Sequence, residues 1–207
     1  LNCTRESKAA HDYIERGAWG KEPALPLTTS IGGKKLGIAG LGRIGKEIAA
    51  RAAAFKMEIG YYGRHQQADV SYRYFGSLQE LATWCDVLLL AMPASPDNFH
   101  CVDRTILTAL GPQGYLVNIA RGSIVNTADL IWALDHEIIA GAGLDVFEQE
   151  PGVPEGLQHR SNVSLLPHQG SATKETRQAM ANLVIANLDA ILQGKEVLTP
   201  VPGTRKI

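Results

Sequence analysis

One glycine-rich hexapeptide, Gly40-Leu41-Gly42-Arg43-Ile44-Gly45, limits what this chain can fold into more than any other feature. It follows a short apolar run, 35–39, that reads as a buried strand. It opens a stretch, 43–55, in which Ile44, Ile48 and Ala52 recur at helical spacing. Each glycine then has a physical reason. Gly40 allows the tight turn, Gly42 lets backbone come close to a pyrophosphate, and Gly45 lets the helix lie on the strand. The helix N-terminus offers unbonded N–H groups and a partial positive charge to an anion. Arg43 adds a cation beside the phosphates.

The rest of the chain repeats that alternation. Strands are predicted at 58–62, 71–75, 86–92, 114–118, 141–146 and 162–165. The run at 86–92 is apolar throughout, as expected of a strand covered on both faces. Helices are predicted between the strands. Ser77 and Glu80 form a capping-box pattern for one running to about Trp84. Another covers 103–110 and stops at Gly111-Pro112. A third covers 127–136 and is capped by Asn126 or Thr127. A long helix over 173–193, with apolar Met180, Leu183, Ile185, Leu188 and Ile191, ends at Gly194. Alternating strands and helices imply right-handed crossovers and a parallel sheet. The fold class is α/β, a doubly wound, Rossmann-type sheet that binds ligands past the carboxyl ends of its strands.

Composition narrows the partners. Lys and Arg total 20 against 21 Asp and Glu, so no basic surplus invites nucleic acid. No apolar run is long enough for a membrane span. Cys3, Cys85 and Cys101 are few and lack metal or disulfide spacing. A reducing, cytoplasmic setting and no metal site are expected.

The end of the second strand discriminates between nicotinamide cofactors. An acid about 20 residues past the glycine loop would accept the ribose hydroxyls of NAD. The chain instead reads Tyr61-Tyr62-Gly63-Arg64-His65. Arginine pairs with a 2′-phosphate that a carboxylate would repel. NADP(H) is therefore expected over NAD(H), with Arg64 on the 2′-phosphate.

Three polar residues fall just past later strands: Arg121 in Asn118-Ile119-Ala120-Arg121-Gly122, Glu150 in Asp145-Val146-Phe147-Glu148-Gln149-Glu150-Pro151, and His168 in Pro167-His168-Gln169-Gly170. Singly, each could be an ordinary loop residue. Together at one sheet edge they supply a cation for a substrate carboxylate, a proton donor and a carboxylate to hold that donor. Asn118 is expected to brace the site. His65, His100 and His136 lie outside these motifs and are expected at the surface.

These motifs, with the glycine loop and with Arg16-Gly17 and Trp19 ahead of it, resemble the D-isomer-specific 2-hydroxyacid dehydrogenases over nearly the whole chain. The Gly63-Arg64 strand end is most similar to that of the NADP-preferring glyoxylate/hydroxypyruvate reductases. The resemblance implies hydride transfer between NADP(H) and a small 2-oxo or 2-hydroxy acid. His168 would be the general acid, Glu150 its partner raising its proton affinity, and Arg121 the group on the substrate carboxylate. Ile44, Gly63, Pro93 and Ala120 would line the cofactor, and Asp145 would bond its nicotinamide end. A homodimer is implied as well. A phosphoglycerate dehydrogenase, which would want an acid near Tyr62-Gly63, ranks below the reductase. A dinucleotide-sensing scaffold of the co-repressor type stays open.

The resemblance also divides the chain. Residues 1–173 correspond to the dinucleotide-binding domain, and 174–207 to a crossing helix and a tail returning to a substrate lobe. Residue 1 is Leu, and the N-terminal part of that lobe has no counterpart here. The expectation is of a piece of a longer enzyme, inactive alone, with Val197, Leu198 and Val201 uncovered.

Overall fold

The run at 35–39 is strand β1 (Lys35–Ala39) of the computed structural model, which describes residues 1–201. Around it lie β2 (Glu58–Tyr62), β3 (Arg73–Phe75), β4 (Val87–Leu90), β5 (Tyr115–Asn118), β6 (Gly141–Leu144) and β7 (Val163–Leu165). All pair in parallel, in the order β3-β2-β1-β4-β5-β6-β7. The order reverses between β1 and β4, the crevice where doubly wound sheets bind ligands. The strands expected at 86–92 and 141–146 end earlier, at Leu90 and Leu144, where the chain leaves the ladder for the ligand-edge loops, and the one expected at 71–75 begins only at Arg73.

Both faces of the sheet are covered. Along β4, Val87 and Leu89 join one apolar cluster with Leu36, Ile38 and Ala49, while Leu88 and Leu90 join another with Leu81, Leu107 and Leu130. A continuous apolar run is the result. Helices α2 (Arg43–Ala54), α3 (Leu78–Trp84), α4 (Arg104–Leu110) and α5 (Thr127–Asp135) follow the strands, after a first helix, α1 (Ser7–Glu15). The α3 capping box is present in both directions, Glu80 N to Ser77 Oγ at 3.1 Å and Ser77 N to Glu80 Oε2 at 3.2 Å. Asn126, rather than Thr127, caps α5 by accepting from Asp129 N.

Helix α2 turns a different face inward from the one its larger side chains suggest. It buries Gly45, Ala49 and Ala52, leaves Ile48 half-buried and leaves Ile44 64% exposed. A Cβ on Gly45 would stand 2.4 Å from the Gly40 carbonyl oxygen. Contact that close admits only small residues, so the inward stripe runs 45, 49, 52. Helix α1 has no capping residue in the sequence: Glu6 at its N-cap is left-handed (φ 45°) and makes no side-chain cap.

Two compact units partition the chain, Leu1–His168 and a second beginning at Gln169. The second carries α6 (Lys174–Leu192), capped by Thr173, whose side chain accepts from Thr176 N. No residue of α6 is buried, and Met180, Leu183, Ile185, Leu188 and Ile191 are all exposed. Gly194 (φ 66°) follows the helix, and Asn187 ties back Thr199 through two hydrogen bonds of 3.0 and 3.2 Å. Leu198 and Val201 are exposed, whereas Val197 is half-buried. Pro202 and the residues after it lie outside the described residues.

Candidate active site

Strand register brings the predicted loops to one edge. The Gly40 N–H donates to Tyr62 O at 2.9 Å, so the loops after β1 and β2 leave the sheet side by side. The same step is repeated across the sheet by Ala91 N to Ala39 O, Ile119 N to Leu90 O, Asp145 N to Asn118 O and Leu166 N to Leu144 O. Every candidate residue follows one of these crossings.

On the β1 side, Gly40 has φ 98°, and a Cβ there would meet Met92 N at 2.6 Å. Only glycine fits that turn. Gly42 is the N-cap of α2, and no other protein atom lies within 4 Å of where its Cβ would sit. The helix has no side-chain cap and no acid in its first turn, and Arg43 is its first residue. Such an end is electrostatically suited to phosphate. Arg64 is exposed one residue past the half-buried Gly63, whose carbonyl accepts from Tyr74 Oη at 3.2 Å. Pro93 is exposed after β4, and its carbonyl accepts from Asn98 Nδ2 at 2.8 Å. The glycine cradle, the open helix end and Arg64 are the residues that could hold a dinucleotide.

On the other side, Asn118 (1% exposed) shapes the loop after β5. Its Oδ1 accepts from Ala120 N and its Nδ2 donates to Arg121 O, both at 3.0 Å. Ala120 is buried, while Arg121 is exposed with its Nη1 on Ala120 O at 2.6 Å. Gly122 then presses on the loop after β6: a Cβ there would lie 1.9 Å from Phe147 C. That loop carries Asp145, which is 8% exposed, and Glu150.

Glu150 and His168 meet directly. Oε2 accepts from His168 Nδ1 at 2.7 Å, and Oε1 accepts from Phe147 N at 2.8 Å. The His168 hydrogen bond, then the Phe147 N–H, hold the Glu150 carboxyl below the usual carboxylate range; the His168 and Arg121 charges add to this. His168 sits at φ 51°, a conformation in which histidine is enriched but still strained. With Nδ1 on the carboxylate, Nε2 faces away from Glu150 and is the ring nitrogen that can take or give a proton. Arg121 joins this pair through the Gly122 contact and through its charge.

Histidine placement departs from expectation at one position. His65 and His136 are exposed, but His100 is half-buried and paired with Glu148. The two partners are 48 residues apart in the sequence, so no local motif joins them. A glutamate two residues before Glu150 was the only local hint.

Comparison with known proteins gives the family. The family profile described as D-isomer specific 2-hydroxyacid dehydrogenase, NAD binding domain, matches residues 1–170. The chain is 50% identical over 189 residues to hydroxyphenylpyruvate reductase of Plectranthus scutellarioides, covering 91% of this chain and 60% of that protein. It is likewise 50% identical over 189 residues to glyoxylate/hydroxypyruvate reductase A of Arabidopsis thaliana, again covering 91% and 60%. The crystal structure of the NADPH-dependent glyoxylate/hydroxypyruvate reductase of Sinorhizobium meliloti, in complex with NADP and malonate, superposes with TM-score 0.93. Identity there is 44%, over 98% of this chain and 64% of that one. The chain thus spans about 60% of the length of the curated relatives it matches.

Proposed function

Because the chain belongs to the D-isomer specific 2-hydroxyacid dehydrogenase family, we propose that it is the cofactor-binding and proton-donating part of an NADPH-dependent 2-oxo acid reductase. Glyoxylate or hydroxypyruvate is the substrate in this reading. The observation that carries it is the Glu150–His168 hydrogen bond of 2.7 Å at the edge that also bears the glycine loop. When bound, a reduced nicotinamide supplies the hydride. His168 holds a proton at Nε2 and gives it to the carbonyl oxygen. Glu150 holds the ring through Nδ1 in the orientation that leaves Nε2 free for the substrate. Arg121, once swung off the Ala120 carbonyl, pairs with the substrate carboxylate and favours negative charge developing on the carbonyl oxygen.

Preference for NADP(H) rests on Arg64 and on the absence of an acid at Tyr62-Gly63-Arg64. Gly40, Gly42, Arg43, Ile44, Gly45, Gly63, Pro93, Ala120 and Asp145 complete the proposed cofactor contacts. Residues 1–173 act as the dinucleotide-binding domain in this reading, and 174–207 as the helix and tail of a second lobe. A cytoplasmic homodimer fits the family and the three free cysteines. Among the described residues no helix is long and apolar enough to cross a membrane.

The test is an assay of the full-length protein with NADPH and either hydroxypyruvate or glyoxylate. Oxidation of NADPH that depends on the oxo acid supports the reading. Tight NADPH binding without turnover of either acid would replace it with a dinucleotide-sensing scaffold.

A further inference from the structure

The loop after β6 is gripped from two sides. His168, past β7, takes Glu150, and His100, past β4, takes Glu148. The two glutamates are two residues apart. Both histidines are held in the left-handed region, at φ 51° and 52°. Strained backbone at two residues that grasp one loop is a feature seen at functional sites. The Glu148 side has no place in the reduction chemistry described above.

Three segments are stacked there. His100 N donates to Ser123 O at 2.9 Å and Val102 N to Ile124 O at 3.0 Å, so the chain around 100–102 runs along the chain around 123–125. Gly122 is pressed against the backbone of Phe147 and Glu148 on its other side. The His100 side chain spans this stack to reach Glu148, and the Phe99 ring lies on its imidazole at a centroid distance of 3.9 Å. A side chain tied in this way resists any lift of residues 147–150 away from Gly122. That lift would part Glu150 from His168 and carry it away from the Arg121 loop.

We propose that His100 and Glu148 form a positioning pair that seats the 147–150 loop on Gly122 and thereby sets how Glu150 meets His168. The inference rests on the Glu150–His168 pairing in the reading above and adds two residues that do not touch substrate.

Its test is the titration of the Glu150 carboxyl, followed by carbon-13 NMR on the 207-residue chain. The groups that face this carboxyl are His168 from the β7 loop, Arg121 from the β5 loop and the Phe147 N–H of its own loop. His168→Ala removes the largest of these influences and fixes the scale. His100→Ala should raise the Glu150 midpoint in the same direction. His100→Gln restores a neutral donor to Glu148 and should bring the midpoint back, which separates geometry from charge. A core variant of matched melting temperature, Leu107→Ala, should leave it unmoved. An unshifted Glu150 in folded His100→Ala overturns the proposal. If that variant does not fold, Glu148→Gln carries the same judgement: a raised midpoint supports the pair and an unmoved one overturns it. The titration uses neither substrate nor cofactor, so its failure and a failed reductase assay are separate results.

Discussion

Gly122→Ala places one methyl group where the structure has backbone. The new Cβ would stand 1.9 Å from Phe147 C, 2.0 Å from its oxygen and 2.3 Å from Glu148 N. Non-bonded carbons rest at about 3.5–4.0 Å, so the two loops must part by roughly 1.5 Å or more. No flexible side chain is available to absorb that shift. Overpacking of this kind costs about 1–3 kcal/mol. For a chain of this size each kcal/mol lowers Tm by roughly 2–4 °C, so the expected fall is about 2–12 °C. The Glu150–His168 pair lies on the displaced loop. In the full-length enzyme a misplacement of about 1 Å should lower kcat by roughly 10²-fold. Thermal unfolding of the isolated chain and steady-state kinetics of the whole protein read the two effects separately. A variant that melts with the wild type and keeps its kcat would refute the idea that this contact sets the site.

Other expectations follow from single groups. His168→Ala should reduce turnover of the full-length enzyme by about 10²-fold or more, the scale of general acid catalysis, while Arg121→Ala should lower kcat/KM; near-normal values would remove each from its assigned role. Arg64→Ala should weaken NADPH binding and spare NADH, and isothermal titration with both cofactors would show whether it does. The Glu150 carboxyl is depressed by His168 and by Phe147 N–H, so its stabilisation is present above the ordinary glutamate value of 4.5 and lost as pH falls through the lower folded value. Denaturant melts should therefore show Glu150→Gln destabilised at neutral pH and converging with the wild type in acid. Burial pushes the Cys85 thiol up to about 12, so iodoacetamide at mildly alkaline pH should label Cys85 only after unfolding, as peptide mass mapping would report.

Much of the frame was legible because it is local. Strands β1 and β2 begin and end where their apolar runs do, and the Ser77-Glu80 box and the Asn126 cap are pairs only three residues apart. Parallel order followed from the alternation of strand and helix. Three things were not legible. Helix α1 lacks a capping side chain to mark its start, although Ala9, Ala10, Tyr13 and Ile14 recur at helical spacing. The inward face of α2 is chosen by how near Gly45 comes to Gly40, which outweighs the larger side chains of Ile44 and Ile48. His100 joins Glu148 only once the β4 and β6 loops are laid beside each other.

By itself the sequence determined which residues could carry chemistry, because the glycine spacing, the arginines and the His and Glu types are each tied to a task. It also determined the edge on which they would gather, because strand–helix alternation permits one hand of crossover. Tertiary structure alone decided contact. Parallel register put the β5, β6 and β7 loops in a row, and Gly122 let two of them touch. Glu150 then came within 2.7 Å of a histidine 18 residues away. Distances between loops depend on packing volumes and register across the sheet, and no stretch of sequence contains them.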